Sequence, residues 1–257
     1  MIDTIQLNKL SNLHDGKNII FCKTDYILNE FEYIKKLNND VVLITGNSDY
    51  PITDNLTSQM PSNIKKWFAQ NAISNNPKLV PIPIGFENRE ESIRKGHGVS
   101  YFDRVSEKEN IISDSYDGEI INLVYSNFNI HTNFAHRNQV KKISMESNDI
   151  IWDEPNLSLP DFFMNTKKYE YSVCPAGNGV DTHRLWEVLY CNRIPITIKL
   201  GNYKIYDLYK KLPIIVLDSV NELLDIENIK NKKNKISFQN IEMLRIDYWI
   251  KLILNEL

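Results

Sequence analysis

The chain is predicted to be an α/β protein made of two doubly wound, Rossmann-like halves that face each other across a cleft. Three observations carry this. Short, continuously apolar runs such as Val41–Thr45 and Ile194–Ile198 have the length and content of strands buried on both faces. Segments with apolar residues at helical spacing, such as Ile27, Phe31, Ile34 and Leu37, separate those runs. The rhythm weakens between Arg89 and Gly118 and restarts at Ile120.

In the first half, Asn18–Cys22 is expected to be a strand, Tyr26–Leu37 a helix, and Val41–Thr45 a strand closed by Gly46-Asn47-Ser48-Asp49. Ile64–Ala72, with Trp67, Phe68 and Ala72, is expected to be helical. Leu79–Ile84 is extended, and its prolines place it at an edge or a strand end. Charges, Gly96, Gly98 and the polar stretch Ser113–Gly118 predict a linker or irregular crossover, with a boundary near Asp114. The expected units are therefore 1–113 and 114–240. In the second unit, strands are expected at Ile120–Ser126, Ile150–Ile151, Tyr171–Cys174, Ile194–Ile198 and Leu212–Leu217. Helices are expected at Asn133–Ser144, Leu159–Asn165, Asp181–Cys191, Val220–Ile226 and Ile241–Leu254.

Composition removes several function classes. The 257 residues carry 30 Lys+Arg against 33 Asp+Glu, a net charge of −3, which argues against a general nucleic-acid binder. No apolar run is long enough for a transmembrane helix, and the first ten residues do not form a secretory signal. Cys22, Cys174 and Cys191 form neither a C-x-x-C pair nor a disulfide framework. A reducing, cytoplasmic location is expected.

The most informative stretch is Tyr171–Thr197. A strand ends at Cys174, and a loop with Gly177, Asn178 and Gly179 leads into a helix that Asp181 or Thr182 is placed to cap. Glycines admit close approach of a ligand, and the helix N-terminus offers free N–H groups and partial positive charge to a diphosphate. Arg184 stands in the first turn to add a charge-assisted contact, and Glu187, three residues on, is placed to accept the hydroxyls of a ribose. An i,i+3 ion pair on a solvated face is the alternative for these two residues.

This stretch resembles the donor-binding signature of exostosin-like glycosyltransferases and related two-domain GT-B enzymes. The family pattern R-x-x-E-A-L followed by I-P-V appears here as Arg184-Leu185-Trp186-Glu187-Val188-Leu189 and Ile194-Pro195-Ile196. Val188 replaces the usual Ala, and Asn192-Arg193 stands where Gly is frequent. The resemblance implies that Arg184 binds the phosphates of a nucleotide sugar and Glu187 its ribose, and that the donor is UDP-linked. It also implies that the last helix, within 241–257, crosses back to the first unit. The loop after the Ile120–Ser126 strand then supplies Arg137 to the diphosphate, with Asn127 and Thr132 in support, and His183 reaches the transferred sugar.

On the same reading, the first unit holds a glycan or other hydroxyl-bearing acceptor in two loops at strand ends: Asn47, Ser48, Asp49 and Tyr50, and Phe86, Glu87 and Arg89. An inverting transfer needs a general base, for which Asp49 is the first choice and Glu87 the second. The absence of Asp-x-Asp implies a metal-independent hexosyl- or pentosyltransferase with no cofactor beyond its nucleotide-sugar co-substrate. At 30.0 kDa the chain is short for this architecture, so a homodimer is a possible way of completing the acceptor site. The alternative is a non-catalytic nucleotide- or sugar-binding module of the same fold. An epimerase is disfavoured because residues 1–30 contain only Gly16 and no G-x-G-x-x-G loop.

Overall fold

In the computed structural model, residues 3–88, 101–236 and 238–257 are described. They form two sheets in which every strand pairing is parallel. The first comprises β1 (Ile19–Lys23), β2 (Val41–Gly46), β3 (Ile64–Ala69) and β4 (Leu79–Pro81), in that spatial order. The second comprises β5 (Ile121–Ser126), β6 (Ile150–Trp152), β7 (Tyr169–Val173), β8 (Ile194–Ile198) and β9 (Ile215–Leu217), ordered β6-β5-β7-β8-β9.

The apolar runs form strands because both faces of the sheets are covered. Along β2, Val41 and Leu43 enter one apolar cluster and Val42 and Ile44 another, the period-2 alternation of a strand between two layers. The same alternation corrects the helix expected over Ile64–Ala72. Trp67 and Phe68 are both fully buried but enter opposite clusters, Trp67 against the Ile27–Ile34 helix and Phe68 on the other side. Adjacent side chains on a helix do not diverge in this way. The Trp67 Nε1 also donates to Thr45 Oγ1 of β2 at 2.9 Å, leaving no buried donor unpaired.

A second correction concerns the expected linker. Tyr101–Ser113 is a helix of 13 residues. Val105 enters the largest apolar cluster, Ile111 packs against the aromatic cluster of Tyr125, Phe162 and Phe163, and Ile112 touches both clusters. The C-terminal segment is likewise divided: a 3₁₀ turn at Ile241–Leu244 precedes the helix Ile246–Leu254. That helix contributes Ile246, Trp249 and Ile253 to a cluster that also holds Ile5, Leu7, Ile44, Phe68, Trp186 and Tyr209. Residues of both sheets thus share one core. Cys22, Cys174 and Cys191 are free and buried, and burial pushes each thiol up to about 12. Among the described residues, no helix is long and apolar enough to cross a membrane.

Candidate functional site

Strand order locates the site. In the second sheet the order reverses at β5, which has β6 on one side and β7 on the other. Ligands of open parallel sheets bind where the loops leaving the carboxyl ends of two such strands diverge. Those loops are 127–133 after β5 and 174–182 after β7, and they carry seven of the eleven residues expected at the donor.

Arg137, on the Phe134–Glu146 helix, is buried under the glycine loop. Its Nε donates to Ala176 O at 2.9 Å, Nη1 to Asn129 O at 2.7 Å and Nη2 to Pro175 O at 3.0 Å. Burial lowers its pKa to about 10. Its guanidinium therefore ties the two loops together, a different placement from the open phosphate contact expected of it. A Cβ on Gly177 would lie 3.0 Å from Arg137 Nη2, which explains the glycine there. Asn127 is also a loop tie: its Nδ2 donates to Asp153 O and Glu154 O at 3.2 and 3.0 Å. Thr132 is exposed, with its hydroxyl on Asn129 O at 3.4 Å.

Arg184 and Glu187 lie on the helix His183–Tyr190, and their neighbours make a chain of alternating charge. Arg184 stacks on Phe162 with Cζ 3.8 Å from the ring centroid, donates through Nη1 to Asn127 O, and has its Nε 3.4 Å from Glu187 Oε2. Its side chain stays 26% exposed, against 7% for Glu187. Glu187 Oε1 accepts from Lys108 Nζ at 2.6 Å, and the same ammonium lies 3.1 Å from Glu87 Oε1. Lys108 comes from the Tyr101–Ser113 helix and is only 4% exposed. Burial alone would push the Glu187 carboxyl up, but Lys108 and Arg184 outweigh it and hold the group at about 2. Glu87 Oε2 is buried without a hydrogen-bond partner among the described residues.

The carboxyl ends of the first sheet meet this region. Asn178 Nδ2 donates to Asp49 Oδ2 at 3.2 Å, joining the two loops singled out in the two halves. Asn71, at φ +52°, donates to Ser48 O at 3.1 Å and accepts from Asp181 N at 3.1 Å. Gly179 has to be glycine here, because a Cβ would lie 2.6 Å from Asn71 Nδ2. Asp181 is no helix cap. Its carboxylate accepts from Ile84 N at 2.7 Å, Trp186 Nε1 at 2.8 Å and Tyr209 OH at 2.7 Å, and burial raises its pKa. Thr182 occupies the cap position without a side-chain hydrogen bond to the helix.

Between these loops lies a cleft of about 830 Å³ lined by Lys23, Asp25, Asn47, Ser48, Asp49, Tyr50, Gln70, Asn88 and His183. Tyr50 is 63% exposed at its rim, whereas Phe86, also expected at the acceptor, is a core residue packed edge-on against Tyr190. Arg89 lies outside the described residues. His183 is half-buried, with Nδ1 2.8 Å from Gly85 O. Gly85 has φ +65°, and a Cβ there would lie 2.4 Å from Ile5 O. Gly85→Ala is therefore expected to destabilise the fold by more than about 1 kcal/mol, measured by urea denaturation. Lys108, Asn71 and Gln70 went unremarked in the sequence. Lys108 and Asn71 act through neighbours remote in the chain and Gln70 through its place in the cleft, so no local pattern marks them. Among the described residues, no group of three His, Cys, Asp or Glu side chains is placed to hold a metal ion.

No family model matches the chain, and no curated protein does. Solved structures do. An apo structure of OtsA aligns with TM-score 0.49 and 9% identity, over 97% of this chain and 74% of that one. An α1,3-fucosyltransferase with GDP-fucose aligns with TM-score 0.42 and 11% identity, over 93% and 89%. An α,α-trehalose-phosphate synthase (UDP-forming) from Burkholderia vietnamiensis aligns with TM-score 0.41 and 6% identity, over 97% and 73%. With TM-scores below 0.5, these likenesses have no bearing on activity. What the chain itself establishes is an α/β protein of two parallel sheets.

Proposed function

We propose that the protein is a glycosyltransferase that moves a hexosyl or pentosyl group from a nucleotide sugar, UDP-linked, to a hydroxyl of a glycan or similar acceptor, with inversion. The two units are 1–113, with the terminal helix packed back on it, and 114–240. The donor lies at the β5/β7 switch point, its diphosphate against the exposed edge of Arg184 and the start of the His183–Tyr190 helix. The acceptor lies in the cleft of about 830 Å³. The observation that carries this is the adjacency of His183 and Arg184 on one helical turn. His183 lines the cleft, while Arg184 is held over Phe162 and Asn127 at the switch point.

Glu187 remains the ribose group of this reading. Because Lys108 occupies it, nucleoside binding proceeds by sharing or exchanging that contact. Arg137 acts by shaping the glycine loop.

A thermal-shift panel of UDP, GDP, CMP and their sugars tests the proposal. At free ligand near 100 Kd, binding stabilises by about 2.7 kcal/mol, and Tm rises by roughly 2–4 °C per kcal/mol for a chain of this size. UDP and a UDP sugar are expected to give the shift. Its absence with every nucleotide overturns the proposal. Binding without hydrolysis or transfer assigns the protein instead to the non-catalytic module.

A further inference from the structure

Of the groups that face the cleft, one is built to take a proton. The Gly85 carbonyl only accepts, so the His183 nitrogen 2.8 Å from it, Nδ1, carries the hydrogen. In the neutral ring this leaves Nε2 with its lone pair, and a carbonyl fixing one ring nitrogen is the usual way the other is oriented for chemistry. Gly85 is itself fixed: Phe86 N donates to Ile5 O at 2.7 Å, and Gly85 pairs as a β-bridge with Gln6.

The two carboxylates compare poorly as bases. Glu87 is already engaged, its Oε1 ion-paired with buried Lys108 at 3.1 Å. Asp49 is exposed and hydrogen-bonded by Asn178. The floor of the cleft also awaits a hydroxyl. Gln70 lines it, is 2% exposed, and its Oε1 has no hydrogen-bond partner among the described residues, so a donor from an acceptor molecule would satisfy it.

We propose that His183 is the general base of the transfer, its Nε2 taking the proton of an acceptor hydroxyl that lies in the cleft beside Gln70. This rests on the glycosyltransferase reading above. The hydroxyl oxygen forms the new bond to the anomeric carbon, and the bond from that carbon to the diphosphate oxygen breaks. Its electron pair leaves on the nucleotide diphosphate. The proton stays on the imidazole until it passes to water.

The test uses the full chain with the nucleotide sugar that the thermal panel selects and a panel of glycan acceptors. His183→Asn keeps an amide N–H for Gly85 O and removes the base; His183→Gln removes the Gly85 contact and serves if the Asn variant fails to fold. Removal of a general base is expected to lower kcat by about 10²-fold or more, with the nucleotide-induced thermal shift unchanged and partial rescue by added imidazole. A variant with kcat within about threefold of wild type, or a loss that added imidazole does not begin to restore, overturns the assignment while leaving the transferase reading standing. A wild type that neither binds a nucleotide sugar nor turns one over removes both.

Discussion

Arg184→Ala is expected to cut the nucleotide-induced thermal shift by about half or more and to weaken the transfer that depends on it. The guanidinium is partly committed: Nη1 to Asn127 O, Nε toward Glu187, and its face to Phe162 at 3.8 Å. These contacts fix the plane of the group, and the exposed quarter of its surface is what a diphosphate meets. A hydrogen bond to a charged partner is worth about 1.5–3 kcal/mol, so affinity should fall by roughly 10- to 100-fold. Arg184→Lys restores the charge but neither the stacked plane nor the fork, and should recover only a small part of the affinity. Isothermal titration of both variants with the selected nucleotide checks this. Wild-type affinity in the alanine variant would remove the phosphate role.

Lys108→Met carries the largest expected stability effect. The ammonium sits between two carboxylates, 2.6 Å from Glu187 and 3.1 Å from Glu87, and is almost wholly buried. Removing one member of a buried ion network leaves the others uncompensated and typically costs about 3–5 kcal/mol. The pH dependence has a definite sign. Glu187 falls from an ordinary 4.5 to about 2 in the folded state. It therefore contributes stability, on the order of 3 kcal/mol, that is fully present above about 4.5 and is lost as the pH falls toward 2. Without Lys108, burial dominates and the carboxyl protonates more readily. The deficit of the variant should thus be largest near pH 7 and shrink as the pH falls below about 4.5. Urea denaturation of both proteins from pH 7 to pH 3 measures it, and a deficit that stays constant across that range contradicts the assignment.

Much of the fold was legible because strands buried on both faces announce themselves as unbroken apolar runs: β2, β5 and β8 lie within a residue of expectation. Residues 64–69 were misjudged because Lys65 and Lys66 interrupt the run, and Trp67, Phe68 and Ala72 also satisfy a helical spacing. The Tyr101–Ser113 helix was hidden because one of its inward residues is a lysine, which satisfies no apolar periodicity. Of the site, the glycine loop, Asp49 and the Arg184–Glu187 pair could be singled out from local motifs. Their partners could not: Lys108 lies 79 residues from Glu187, and Asn71 lies 110 residues from Asp181. Contacts of that separation depend on the tertiary fold rather than on any local pattern.

The packing of the Ile246–Leu254 helix among Ile5, Leu7 and Leu10 has a consequence for synthesis. Ile246 N bonds Asp3 O, and Tyr190 OH both accepts from Ile5 N and donates to Leu244 O. Residues near position 5 therefore wait for residues near position 250 before they are covered. Until the Ile246–Leu254 segment has left the ribosome, Leu7, Leu10 and one face of the first sheet are open to chaperones or to neighbouring nascent chains.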